Sequence, residues 1–73
     1  MMWIEFDKPG AEEFIADSET VYTEGELKIQ KTESADLTLF DVIWKRENGD
    51  YFIAERAYVT LDEAKQVINK TLK

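Results

Sequence analysis

Lys28, Lys45 and Arg56, interleaved with Phe52 and Tyr58 along β-rich stretches, form one set of residues suited to acting on a ligand. Aromatic faces stack on unpaired bases while flanking cations meet phosphates. A second set is Glu12, Glu13 and Asp17, with Glu19 close behind. This row of carboxylates can steer onto a basic surface, or stand where nucleic-acid phosphates would. It lacks the alternating ligands and central glycine of a calcium loop, so no metal is expected. With no Cys and no His in the chain, there is no thiol nucleophile, imidazole base, disulfide or Cys/His zinc site. The glycines at 10, 25 and 49 are isolated, so no phosphate-cradling loop is formed. A glycosidase-like carboxylate pair needs a cleft, for which 73 residues leave little room. The expectation is a protein that is not an enzyme, with no cofactor and no small-molecule substrate.

Charge narrows the partners. The chain has 16 acidic and 9 basic residues, a formal net charge of −7, which disfavours a main role in neutralising phosphate. The acidity is uneven: residues 1 to 24 hold seven acids and only Lys8, a net of −6, while residues 25 to 73 come to −1. The longest apolar runs, Met1 to Ile4 and Tyr51 to Ala54, are far too short to span a membrane. No basic-then-apolar leader is visible, and the missing cysteines suit a reducing compartment, so the expected location is cytoplasmic.

The elements that must position these residues follow from periodicity. Met2 to Phe6 reads as a short strand. Asp7 is an N-cap for a helix that opens at Pro9 and runs to about Asp17, with Ala11, Phe14 and Ile15 as its apolar stripe. Glu24-Gly25 punctuates the chain, and Glu26 to Lys31 alternates as a half-buried strand does. After a turn at Thr32 to Ala35, Leu37 to Arg46 and Tyr51 to Val59 are two β-rich runs joined through Asn48-Gly49, the pair that favours a type I′ hairpin. Thr60-Leu61-Asp62-Glu63 is a capping box, and Leu61, Ala64, Val67, Ile68 and Leu72 form the stripe of the last helix. The predicted fold is one α+β domain over residues 1–73. It has a three- to four-stranded antiparallel meander, a C-terminal helix packed on one face and a short N-terminal helix, in the order β-α-β-β-β-α.

A two-residue Asn48-Gly49 loop sets Trp44 opposite Ile53, Phe40 opposite Ala57, Val42 opposite Glu55 and Asp41 opposite Arg56. With the strand from Glu26 placing Leu27 and Ile29 beside Phe40 and Thr38, one face becomes the core. It carries Phe40, Val42, Trp44, Tyr51 and Ile53 under the last helix. The other face then presents Leu39, Ile43, Lys45, Phe52, Arg56 and Tyr58, too apolar for a simple solvated surface. That face is covered by the N-terminal helix, or leaves scattered apolar residues exposed as many proteins do, or serves for docking a protein partner or a second copy of the chain.

The α-β-β-β-α order, together with Thr60-Leu61-Asp62-Glu63-Ala64-Lys65-Gln66 opening the last helix, resembles the double-stranded-RNA-binding domain over residues 9 to 72. That family grips phosphate with lysines at this helix start, where Asp62 and Glu63 stand here. The resemblance therefore implies topology and no binding residues. The expected function is a non-catalytic acidic interaction or regulatory module, self-associating or inhibiting a basic or nucleic-acid-binding partner. Its alternative is a small nucleic-acid-binding domain using the aromatic and basic sheet face.

Overall fold

A computed structural model describes residues 2–72. The elements are β1 (Trp3–Phe6), α1 (Lys8–Asp17), β2 (Glu19–Glu24), β3 (Leu27–Glu33), β4 (Thr38–Lys45), β5 (Tyr51–Ala54) and α2 (Leu61–Leu72). The α+β class, the antiparallel sheet and both helices are as expected. The sheet has five strands, in the order β1-β5-β4-β3-β2. The additional strand is β2, joined to β3 through Gly25-Glu26, with Glu24 opposite Leu27 and Gly25 at φ +60°. Gly at the first of two loop residues suits a type II′ hairpin.

The long connection is α1. β1 and β2 are the two edges, so the chain crosses the whole sheet between them, about 19 Å for four strand spacings. A ten-residue helix supplies about 15 Å of that span. The Asp7 side chain accepts the Gly10 N–H at 3.0 Å to start the helix. On its inner face Ala11 is buried together with Ile43 and Tyr51 of the sheet, with Phe6, Phe14, Ile15 and Ile53 packed around them. The opposite face carries Leu27, Ile29, Val42 and Ala54 against Ala64, Val67 and Ile68 of α2.

The β4–β5 register differs from the expected one by a single residue. Ile43 stands opposite Ile53, Trp44 opposite Phe52 and Lys45 opposite Tyr51. The loop has three residues, closed by Arg46 N–H to Asp50 O at 2.8 Å and Gly49 N–H to Arg46 O at 3.0 Å. Only Gly49 adopts positive φ, +95°. Asn48 instead accepts the Asp50 N–H on its side-chain oxygen at 3.0 Å. This agrees with a type I turn closed by a glycine bulge. A one-residue slip turns every β5 side chain over: Phe52 and Ala54 lie on the α2 side, Tyr51 and Ile53 on the α1 side.

β5 also ends sooner than expected. Phe40 pairs with Tyr58 rather than Ala57, and Glu55 is exposed beyond the strand, its N–H on the Met2 carbonyl at 3.0 Å. Between β3 and β4 the turn falls later, so Leu27 meets Trp44 and Ile29 meets Val42. This shift is even and keeps Leu27 and Ile29 on the expected core face. In the capping box, Thr60 Oγ accepts the Glu63 N–H at 3.2 Å, and its hydroxyl donates to the Glu63 carboxylate at 3.0 Å. Leu72, expected in the core, is 53 % exposed.

Candidate interaction surface

The six residues assigned to one sheet face are dispersed. Leu39, Ile43 and Lys45 lie on the α1 side, where Ile43 is fully buried. Phe52 lies on the α2 side beside Trp44, ring centroids 6.1 Å apart. Tyr58 packs against the α2-side core, with the Arg56 guanidinium 5.0 Å from its ring. That face is crossed by α1, the first of the outcomes weighed for it.

The cations are dispersed as well. A cavity of about 330 Å³ between the β2–β3 and β4–β5 turns is lined by Gly25, Glu26, Lys28, Lys45, Arg46 and Glu47. Its side chains diverge: Lys45 reaches toward Tyr51 on the α1 side, and the Arg46 guanidinium lies 4.9 Å over Trp44 on the α2 side. Trp44 Nε1 in turn donates to Glu26 at 3.1 Å. Lys45 and Arg46 thus stack on different aromatic rings, and no continuous platform with Lys28, Phe52 and Tyr58 is formed.

The acidic set stays on one helix, and of its three residues only Asp17 lines a cavity. Glu12, Glu13 and Asp17 are all exposed on α1. Asp17 occupies the last turn, which holds no basic residue. That turn is the negative pole of the helix dipole, where a carboxylate costs about 0.3 to 1 kcal/mol relative to a cation. Around this pole lies a cavity of about 400 Å³, lined by Asp17, Ser18, Glu19, Lys31, Thr32 and Glu33. Its one cation, Lys31, is held by Glu33 at 2.9 Å, which keeps the amine above its ordinary pKa. Among the described residues this is the one ion pair. No three of their acidic side chains converge as a metal ion requires.

Sequence reasoning missed Gln30, which holds this corner together. It is fully buried. Its Nε2 donates to Ser18 Oγ at 2.9 Å, and its Oε1 accepts from Thr20 Oγ1 at 2.6 Å. The end of α1, the start of β2 and the middle of β3 are thereby tied at one point. An alternating strand predicts only that Gln30 sits on the face opposite Leu27 and Ile29. What covers it depends on where α1 ends.

No described helix is long and apolar enough to cross a membrane. Compared with models of protein families, with curated proteins and with solved structures, the chain matches none of them.

Proposed function

We propose that the protein is a non-catalytic interaction module that docks a basic protein surface, such as that of a nucleic-acid-binding protein, against the outward and C-terminal end of α1. One observation carries this reading: the negative pole of α1 bears Asp17, Glu19 and Glu33 around a cavity whose only cation is already paired. A Lys or Arg side chain entering there meets Asp17, Glu19 and the helix carbonyl end, while Glu33 stays with Lys31. Glu12 and Glu13, one turn back, extend the attraction along the helix and accelerate encounter at low salt.

An arginine-rich peptide titrated into the labelled protein tests this. Amide shifts are expected at residues 12 to 19 and 31 to 33, with affinity that falls as salt rises and falls again in Asp17→Asn plus Glu19→Gln. Shifts centred elsewhere, or a variant that binds as well as the wild type, would overturn the reading. In the absence of peptide the Asp17→Asn change is expected to stabilise the fold by about 0.5 kcal/mol, since it removes a carboxylate from the unfavourable pole.

A further inference from the structure

The two edges of the sheet are finished differently. β2 begins and ends with Glu19 and Glu24 and carries a bulge between Thr20 and Tyr22, devices that discourage pairing with another strand. β1 pairs with β5 without a break, and on its α1 side Met2 is 62 % and Ile4 47 % exposed. The Met2 carbonyl accepts from Glu55 N–H. By antiparallel alternation, Met2, Ile4 and Phe6 therefore turn their backbone groups toward β5, while Trp3 and Glu5 turn theirs outward.

We infer that β1 is a self-pairing edge, and that two copies of this chain join through antiparallel β1 strands about a two-fold axis at Ile4. The outward groups limit the register. Setting Glu5 opposite its own copy puts two carboxylates together, which is unfavourable. Setting Trp3 opposite Glu5 of the second copy uses both outward residues twice and closes four backbone hydrogen bonds. The side chains agree with that register. Ile4 then meets Ile4, and Met2 meets Phe6, in one apolar stripe on the α1 side. On the α2 side each Trp3 meets a Glu5 carboxylate, which its indole N–H can reach as a donor. α1 leaves β1 toward β2, so the acidic poles stay at the far ends of the ten-stranded sheet. A two-fold closed by one edge leaves both β2 edges outermost, where their bulges oppose further growth.

Sedimentation equilibrium of the intact protein is expected to show a monomer–dimer equilibrium with Kd between about 10 μM and 1 mM, the weak range of a small interface. Dimerisation should tighten as salt screens the −7 charge on each copy, opposite to the salt response of basic-peptide binding. Glu5→Pro removes an outward N–H and leaves the β1–β5 ladder intact; it should abolish the dimer with unchanged circular dichroism. Ile4→Lys does so without altering the backbone, and serves if the proline variant unfolds. Since the chain has no cysteine, Ile4→Cys is a clean reporter. Non-hydrogen-bonded partners about 4.5 Å apart at Cα lie within disulfide range, so this variant should oxidise to a covalent dimer while Thr23→Cys on β2 does not. A monomer throughout at about 1 mM, a dimer that survives Ile4→Lys, or equal cross-linking from both cysteine positions would overturn the inference.

Discussion

Trp44 and Phe52 face each other across the β4–β5 ladder, and Trp3 closes on the same indole from the neighbouring side at 5.3 Å in an edge arrangement. Three aromatic rings from three strands thus meet at one end of the α2 side of the sheet, with Arg46 stacked above Trp44. Tilted and edge contacts of this kind add about 0.5 to 1.5 kcal/mol per pair beyond their buried area. Phe52→Ala is therefore expected to cost about 2 kcal/mol, below the usual range for a fully buried ring because Phe52 is half-buried. For a domain of this size that lowers Tm by roughly 10 °C. It should also quench the near-ultraviolet dichroism of the tryptophan pair. A thermal melt indistinguishable from wild type would show that Phe52 does not belong to the core.

Gln30→Leu tests the corner beneath the acidic pole. The substitution keeps the side-chain volume and leaves the Ser18 and Thr20 hydroxyls without their buried partner, a loss of about 2 kcal/mol. Urea unfolding should show a lower midpoint at an unchanged slope. Amide exchange should quicken at the end of α1 before it does so in β4.

Asp41 lies half-buried on the α1 side opposite Gln30, and burial raises its carboxyl above the ordinary pKa. The folded form therefore holds a proton to higher pH than the unfolded chain. In the window between those two pKa values stability falls as pH rises, and above it the penalty is constant. Asp41→Asn should stabilise the protein at pH 7 by less than about 1 kcal/mol, solvent screening limiting the gain at a half-buried site. The gain should vanish once pH drops below the unfolded carboxyl pKa. A variant whose Tm advantage persists in acid would assign the effect to something other than charge.

Gly49→Ala should destabilise by about 1 kcal/mol, because the loop needs positive φ at that residue and open space around it offers the methyl group no compensating contact. Asn48→Gly should cost less, through loss of the Asn48 oxygen from the Asp50 N–H. If Asn48→Gly weakened the protein more than Gly49→Ala did, the loop would be of the two-residue kind.

Much was legible in the order of residues alone, because it depends on neighbours a few positions apart. The Asp7 cap, the stripe of Ala11, Phe14 and Ile15, the alternation of Leu27 and Ile29 and the Thr60 capping hydroxyl are all local, and each element formed where its period predicted. The acidic set was equally legible, since charge can be counted. β2 was signalled by Gly25-Glu26 and the Thr20–Thr23 stretch, but a two-residue loop beginning with Gly is a weaker sign than Asn-Gly. What tertiary structure decided was parity and cover. Asn48-Gly49 permits loops of two or three residues, and one extra residue moved Phe52 to the α2 side, beside Trp44. Which helix shelters which side of the sheet, and hence that Ile43 is buried while Asp17 and Ile4 remain accessible, follows from strand order. That order is selected by packing between residues distant in the chain.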